Sequence, residues 1–280
     1  MNGSSSMPNV DITFLGTGAG MCVYRNHTAI VLDCPDGTRL LLDTASGNSV
    51  IRQAAAVGML AQEFEQVLLT HHHGDHMGGL PYIQGQRSLT NPEGPPLRIY
   101  SSEEALEAVR MYCKATRLRV INVDQEGATT GNGHQVFQWH PTEAGQRVDL
   151  GATTWASSFP VDHISGSVGW RVEAGGVSIV FSGDTRLSTN LVEAAQGARL
   201  LIHEALSVES NLEDTNGRGH SVAAGAGRAA AQAGVQELVL THIDSPFHLD
   251  PQPLIDDARR FFDGPISVAS DLYQMTVAAG

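Results

Sequence analysis

One short stretch constrains this chain more than any other: residues 70–76, Thr-His-His-His-Gly-Asp-His, hold four histidines and a carboxylate. They directly follow the apolar run Gln-Val-Leu-Leu at 66–69, which predicts a short buried strand. The cluster therefore lies at the carboxyl end of a strand. On the extended segment that leaves this strand, His71 and His73 point to one side, and His72 between them points away.

The side chains of this cluster indicate a metal site. Asp75 and His76 add a carboxylate and a further imidazole in the turn that follows His73. Imidazole nitrogen and carboxylate oxygen at this density suit zinc or a similar divalent ion, and no cysteine lies near enough in the sequence to indicate a structural thiolate site. A solvated histidine-rich loop is the alternative for a bare His-His-His tract. The adjoining Asp75-His76 pair and the preceding strand argue against that alternative.

Read as His-x-His-x-Asp-His, the cluster resembles the metal-binding signature of the metallo-β-lactamase superfamily. That family places further ligands on a lone histidine, on an aspartate after a strand and on a histidine after a late strand. His163, Asp184 and His242 occupy these places, and each lies at the end of, or just after, an apolar or β-branched stretch. Taken alone, His163 or His242 would more often be an ordinary structural histidine, but the ordered set is specific.

The resemblance implies a centre with two metal ions, which we expect to be Zn²⁺, with Mn²⁺ and Fe²⁺ as alternatives. By family assignment, one metal has three histidine ligands, the second has an aspartate and two histidines, and another aspartate bridges them. The expected ligands of the first metal are His71, His73 and His163. Those of the second are Asp75, His76 and His242, and the bridging aspartate is Asp184.

Four further segments resemble the ribonuclease Z-like and arylsulfatase-like branch of the superfamily. Phe-Leu-Gly-Thr-Gly at 14–18 resembles the first strand and loop of that branch, and Phe-Ser-Gly-Asp-Thr at 181–185 resembles its aspartate motif. Ile-His-Glu-Ala at 202–205 resembles its His-Glu-Ala-Thr segment, with leucine in the last place. Gly-His-Ser at 219–221 resembles its His-Ser-Thr loop, with valine as the third residue.

The function that this branch implies is hydrolysis of a phosphodiester or another small ester by a metal-bridged hydroxide. The resemblance gives Glu204 and His220 a role near the leaving group, where His220 would donate a proton or stabilise charge and Glu204 would orient it. Asp75 is expected to be catalytic as well as a ligand. Arylsulfatase, lactonase and carboxylic esterase remain open, because the pocket walls rather than the metal ligands select the substrate.

One departure from the family leads us not to expect transfer RNA as a partner. Ribonuclease Z enzymes that mature transfer RNA typically carry a long Gly/Pro-rich arm between the third-motif histidine and the aspartate that follows. Here only residues 164–183 separate His163 from Asp184, enough for two strands and a turn. The formal net charge of −13 also disfavours a broad basic face. The expected substrate is therefore a small-molecule ester.

Three other functions fit the sequence less well. Iron-dependent oxidoreductases of the superfamily that hold two irons usually replace the second histidine of the first motif with glutamate, whereas His73 is histidine. A metal-free binding protein would have lost ligands, and all seven positions are filled. The Gly-x-Gly-x-Gly at 16–20 follows a strand but precedes another strand instead of the helix of a dinucleotide site. Its glycines are expected to let a tight loop approach the active centre.

The cysteine content and the absence of apolar segments predict the cellular compartment of the protein. Cys22, Cys34 and Cys113 form a sparse, odd set without metal-like spacing, which fits a reduced cytoplasmic protein. Residues 1–10 contain neither a basic start nor an apolar stretch, so we expect no signal peptide, and no later run reaches transmembrane length. We expect a cytoplasmic protein without membrane contact, and the resemblance adds a homodimer.

Periodicity alone predicts a mixed α/β (α+β) chain, and the resemblance implies the four-layered αββα sandwich. We expect a disordered tail at 1–9 and a single metallo-β-lactamase-like hydrolase domain at 10–280. The predicted strands lie at 10–15, 28–33, 39–43, 66–69, 135–139, 153–159, 167–172, 177–181, 199–202, 237–240 and 266–269. The predicted helices lie at 49–64, 103–118, 191–198, 222–233 and 253–262.

Overall fold

A computed structural model describes residues 9–116 and 122–279, which form two β-sheets. The first sheet has nine strands within these ranges and is parallel only through its centre, from β3 to β5 and on to β8. In spatial order its strands are β16 (Tyr273–Ala278), β1 (Asn9–Gly16), β2 (Ala29–Asp33), β3 (Arg39–Leu42), β4 (Gln66–Leu68), β5 (Leu97–Ser101), β8 (Gln135–Pro141), β7 (Gly127–Thr129) and β6 (Asn122–Val123).

The second sheet has seven strands in the described part of the chain. It begins with an antiparallel meander from β9 to β12 and continues as parallel strands from β12 to β15. In spatial order its strands are β15 (Ile266–Val268), β14 (Leu238–Thr241), β13 (Leu200–Glu204), β12 (Val177–Phe181), β11 (Val168–Ala174), β10 (Thr154–Pro160) and β9 (Arg147–Asp149).

Helices cover the outer face of each sheet, which gives the four-layered αββα sandwich that the resemblance predicts. On the first sheet these are α1 (Ser49–Ala56), α3 (Leu80–Thr90) and α4 (Glu103–Thr116). On the second sheet they are α5 (Thr189–Ala194), α7 (Ala223–Ala233) and α8 (Gln252–Arg259). Two short helices, α2 (Gly74–Met77) and α6 (Leu212–Gly217), lie in loops.

The alternation of side chains along the strands builds three apolar cores. In β12, Ile179 and Phe181 face the core between the sheets, whereas Val180 faces the helices of the second sheet. The central core also holds Trp170, whose indole nitrogen donates to the carbonyl oxygen of Leu69 over 3.1 Å. The sheets are thus buried on both faces, and the polar residues of the site lie at the ends of strands.

Of the two glycines that weaken the helical propensity of α7, Gly227 has a packing reason. A Cβ on Gly227 would lie 2.3 Å from the carbonyl oxygen of Ala258 in α8, so only glycine lets the two helices approach this closely. The alanine-rich face of α7 is buried against the second sheet, with Ala226 and Ala230 fully covered. Tertiary packing therefore stabilises a helix that propensity alone would leave marginal.

Most predicted elements are present, but several differ from the sequence prediction. The helix expected at 49–64 ends at Ala56, because Gly58 adopts a left-handed φ of +79° and a separate 3₁₀ turn follows at Ala61–Glu63. Helix α3 was not predicted, since it starts at Gly-Leu-Pro, although proline is well accepted in a first turn. The short helices α2 and α6 and the strands β6, β7, β9 and β16 were also missed. The predicted end of the helix at 103–118 lies outside the described residues, as does 1–8 of the expected disordered tail, while residue 9 already belongs to β1.

None of the helices within 9–116 and 122–279 combines the length and the apolar character that crossing a bilayer requires.

Candidate metal centre

The first half of the site is one continuous loop that follows β4. Thr70 is fixed at the start of this loop because its N–H and hydroxyl each donate to the buried carboxylate of Asp43 over 2.8 Å. His71 and His73 follow in extended backbone, and His73 precedes α2, which carries Asp75 and His76. Because this four-residue helix directly follows an extended segment, the imidazoles before it and the imidazole and carboxylate within it can face the same site.

The second half comes from separate segments of the second sheet. His163 follows β10, Asp184 lies three residues beyond β12, and His242 follows β14. His242 has a left-handed φ of +56°, an uncommon conformation for a residue other than glycine. Strained backbone of this kind persists only where its surroundings hold it, and it is enriched at functional sites.

Three imidazole nitrogens form the first cluster. His71 Nε2 lies 3.0 Å from His73 Nδ1, and His163 Nε2 lies 3.2 Å from the same His73 nitrogen. Asp184 Oδ2 completes the group at 3.7 Å from His71 Nε2 and 3.9 Å from His163 Nε2. Each residue thus offers one donor atom toward a common centre, within the spread that one cation can bridge.

The second cluster shares that carboxylate. Asp184 Oδ2 lies 3.2 Å from His76 Nε2 and 3.4 Å from His242 Nε2. Asp75 Oδ2 lies 3.4 Å and 3.5 Å from the same two nitrogens. The structure therefore brings all seven sequence-predicted ligand residues together, with Asp184 between two groups.

Unpartnered atoms in the second cluster fit a divalent ion. His76 is fully buried, its Nδ1 is held by Asp43 Oδ2 at 2.7 Å, and its Nε2 has no hydrogen-bond partner among the described residues. Both ring nitrogens of His242 are also buried without a hydrogen-bond partner among the described residues. Leaving such groups without partners is costly. A hydrogen bond from the far nitrogen to a carboxylate is the usual way in which proteins orient a metal-binding histidine. The clustered histidines and aspartates suggest divalent metal binding.

The protonation states of three of these residues suit metal binding directly. Burial lowers the pKa of His71 well below its usual range and that of His163 to about 4, so both imidazoles are neutral at pH 7. Burial opposes ionisation of Asp184, but the neighbouring imidazoles of His242 and His76 hold its pKa well below its usual range. Burial also opposes protonation of His76, but the charge of Asp184 outweighs it and raises the pKa of His76 well above its usual range, so binding of an ion there would release a proton.

A buried acid–base pair adjoins both clusters. Glu204, the last residue of β13, is fully buried, and its Oε1 accepts from Thr185 N at 2.5 Å and lies 3.2 Å from His220 Nδ1. His220 Nδ1 is also 3.8 Å from Asp184 Oδ2. Burial alone would lower the pKa of His220, but the charge of Glu204 and its hydrogen bond outweigh burial and raise that pKa to about 9.

The site opens into a cavity of about 380 Å³. The glycine loop at 16–20 forms one wall, and a Cβ on Gly20 would lie 2.8 Å from Asp75 Oδ2, so the loop approaches the site as its glycines predict. Asp271, near the other end of the chain, holds this loop by accepting from the backbone N–H groups of Thr17 and Asn26 over 3.0 Å and 2.7 Å.

Comparison with known proteins identifies the family. Residues 38–243 match the family model described as a β-lactamase superfamily domain. The chain belongs to this superfamily. The resemblance drawn from the motifs is thereby confirmed, including its ribonuclease Z-like branch.

Relatives in the superfamily match over nearly the whole chain. Ribonuclease Z of Methanothermobacter thermautotrophicus is 29% identical over 307 aligned residues, which cover 96% of this chain and 97% of that protein. The metallo-β-lactamase fold protein YhfI of Bacillus subtilis superposes with a TM-score of 0.78 at 19% identity, covering 96% of this chain and 99% of YhfI. The short form of human tRNase Z gives 0.73 at 23% identity, covering 95% and 99%. The family and the clustered ligands support a metal-dependent, ribonuclease Z-like hydrolase.

Sequence analysis missed Asp43 as a residue that supports the candidate site. The sequence predicts it at the end of a returning strand, and in the structure it is fully buried and bonds both Thr70 and His76. An acidic residue at the end of an apolar strand was the available signal, but 27 residues separate it from Thr70, so the sequence did not connect it with the histidine motif. His72, by contrast, belongs to neither cluster, as its place between two alternating histidines predicts.

Proposed function

We propose that this protein is a binuclear zinc hydrolase that cleaves a phosphodiester. One observation carries this proposal. The carboxylate of Asp184 lies between two ligand groups, within 3.9 Å of four imidazole nitrogens that belong to both of them. A carboxylate shared between two groups of ligands offsets the repulsion between two cations at close spacing and so supports a binuclear site.

The ligand assignment follows from the two clusters. We assign His71, His73 and His163 to one ion and Asp75, His76 and His242 to the other, with Asp184 as the bridging ligand. Nitrogen and oxygen donors without thiolate fit zinc, and Mn²⁺ or Fe²⁺ would also be accepted by this donor set. Two bound ions would lower the pKa of a coordinated water to about 7 and stabilise negative charge on an ester oxygen.

The remaining residues act on the substrate side. His220 lines the cavity, and because its Nδ1 is engaged with Glu204, Nε2 is the nitrogen from which it would donate a proton to the leaving group. Glu204 is a positioning residue: it fixes the ring of His220 and favours its protonated form. Asp75 contributes its carboxylate to the second cluster and to the cavity wall.

RNA is the second candidate substrate, because relatives carry the names ribonuclease Z and tRNase Z. The chain between His163 and Asp184 is a hairpin formed by β11 and β12 with a Gly175-Gly176 turn, which leaves no room there for a long arm. We therefore keep the prediction that transfer RNA is not the substrate. Cleavage of a precursor transfer RNA by the metal-loaded protein would contradict it.

Sulfate esters, lactones and carboxylic esters are the alternatives on the same residues. The cavity walls include apolar Met21 and Leu206, which suit an organic leaving group but do not distinguish these esters. An iron-dependent oxidoreductase remains the least supported alternative. Homodimerisation is a prediction of the resemblance and is tested by light scattering.

The deciding experiment is turnover of bis(4-nitrophenyl) phosphate by zinc-loaded protein beside its Asp184→Asn variant. We expect clear turnover in the wild type and a loss of about 10²–10³-fold or more in the variant, because the shared carboxylate serves both ions. Metal content is measured in both proteins. No turnover with two bound ions per chain would overturn the phosphodiester assignment and move the work to the alternative esters. Full turnover with full metal content in the variant would overturn the bridging role of Asp184.

A further inference from the structure

The cavity beside the two ligand clusters has one arginine in the part of its wall that the structure describes. Among the described residues that line it, Arg218 is the one arginine or lysine. Three carboxylates also line it: Asp75 and Asp184 belong to the clusters, and Asp244 accepts from Ser245 N at 2.7 Å. His220 also lines the cavity in its protonated form, but it is paired with Glu204 beside the leaving group. The guanidinium of Arg218 is therefore the positive charge that remains for another part of a ligand in the cavity.

The backbone that carries Arg218 is firmly held. Arg218 follows α6, and the carbonyl oxygen of Gly219 accepts from His163 Nδ1 over 2.9 Å. Arg186 Nε donates to the carbonyl oxygen of Asn216 over 2.6 Å. These bonds fix the turn on both sides of Arg218, two residues before His220. The backbone of Arg218 therefore has a defined position relative to His220, and the side chain extends from this fixed point.

The side chain of Arg218 is available to a ligand. Its partner in the structure is Asp214, with Arg218 Nη2 2.7 Å from Asp214 Oδ2, in an i,i+4 pair whose side chains are 51% and 73% exposed. An exposed pair of this kind contributes little to stability and is readily exchanged. Asp214 engages the guanidinium through a single contact, whereas a phosphate can form two parallel hydrogen bonds with it.

We propose that Arg218 binds a second phosphate on the substrate, separate from the scissile ester. The substrate class is then a phosphodiester whose organic part carries a further phosphate group and lies against the apolar wall of Met21 and Leu206. This inference rests on the proposed phosphodiesterase function. It assigns the scissile group to the clusters around Asp184 and the additional anion to Arg218.

The test uses two chromogenic probes with the same scissile bond. The 4-nitrophenyl ester of thymidine 5′-phosphate and its 3′-phosphorylated form differ only in the second phosphate. For zinc-loaded wild type we expect kcat/KM to be about tenfold higher for the 3′-phosphorylated probe, the effect of one charge-assisted contact at a half-exposed site. In Arg218→Ala this ratio should fall to about one.

Three further variants sharpen the assignment. Arg218→Lys keeps the charge without the planar fork and should retain part of the preference. Asp214→Asn removes the competing carboxylate and should raise the ratio. Arg260→Ala is the matched control, since Arg260 is 54% exposed and pairs with Asp257 at i,i+3, but does not line the cavity. Its ratio should equal that of the wild type.

A binding measurement provides an independent readout. Calorimetry with thymidine 3′,5′-bisphosphate and thymidine 5′-phosphate should show tighter binding of the bisphosphate to wild type and a reduced difference in Arg218→Ala. A wild-type ratio near one by both methods would overturn the proposal. Equal losses on both probes in Arg218→Ala would place Arg218 on the scissile group instead and overturn it as well. If neither probe is hydrolysed but the calorimetric preference persists, the proposed reaction fails and the phosphate site stands.

Discussion

The two ligand clusters share Asp184 but differ in the charge that surrounds their histidines. In the first cluster three imidazoles converge, and the far nitrogens of two of them are held by neutral groups: His71 Nδ1 lies 3.0 Å from the hydroxyl of Thr70, and His163 Nδ1 donates to the carbonyl oxygen of Gly219. The second cluster adds the carboxylate of Asp75, and a third carboxylate, Asp43, stands behind His76.

This difference predicts that the two proposed ion sites, which would share Asp184, bind their ions with unlike strength. The second cluster concentrates negative charge in a buried place, which strengthens its attraction for a cation. The first cluster relies on neutral imidazoles, whose lone pairs are free because burial lowers the pKa of His71 and His163. We expect the ion of the first cluster to be the one that a chelator removes first.

The largest effects should come from removing one ligand of each cluster. Asp75→Ala and His163→Ala are each expected to reduce bound zinc to about one ion per chain and to lower turnover of bis(4-nitrophenyl) phosphate by about 10²–10³-fold. Metal analysis by mass spectrometry after a chelator series checks the comparison. Asp75→Ala should leave only the ion that the chelator removes first, whereas His163→Ala should leave only the more resistant ion. Identical behaviour of the two variants would remove the distinction.

A smaller effect should come from the pair that belongs to neither cluster. Glu204→Gln removes the charge that holds His220 and should lower kcat by about 10²-fold, the usual contribution of a positioned general acid. Both ions should remain bound, because the ligand atoms of the clusters are unchanged. A substrate with a better leaving group should recover part of the loss. Loss of an ion in this variant would make Glu204 part of the metal centre.

The smallest effect should come from the carboxylate behind His76. Asp43→Asn keeps the shape of the side chain but no longer accepts all three hydrogen bonds from Thr70 and His76. We expect the affinity of the second cluster for zinc to fall about 10-fold, with the first cluster unaffected. His72→Ala, a neighbouring histidine outside both clusters, is the control and should leave both affinities unchanged. An equal weakening of both clusters would show that Asp43 supports the whole loop.

The two halves of the site also differ in how far sequence could predict them. Four ligands lie within residues 70–76, where local spacing and a preceding strand are enough to indicate a metal site. His163, Asp184 and His242 are scattered over separate strand ends, so only the resemblance joined them, and the structure then placed them together. The buried partnership of Asp43 with His76 spans 33 residues and arises from strand pairing that periodicity does not reveal. Arg218 gave no local signal at all.

The secondary structure likewise includes elements that local sequence patterns predict and elements that they do not. Apolar strands such as β12 were predicted with their observed bounds, because a buried strand has a clear apolar pattern. Strand β16 is mostly exposed, with Val277 as its one buried residue, and it pairs with β1 at the opposite end of the described chain, Asn9 facing Ala278, so no local apolar pattern indicates it. The helix predicted at 49–64 was too long, since the pattern does not register the left-handed turn at Gly58.

The hydrogen bonds of Asp271 impose an order on how the site is completed during synthesis. The glycine loop beside Asp75 is among the first described segments to leave the ribosome, yet 254 residues separate Thr17 from the carboxylate that holds it. Strand β1 likewise cannot complete its pairing until β16, its antiparallel partner at the sheet edge, has been synthesised. A nascent chain therefore contains the histidine motif long before Asp271 can fix the glycine loop that forms this wall of the cavity. The complete site can form only once nearly the whole described sequence has been translated.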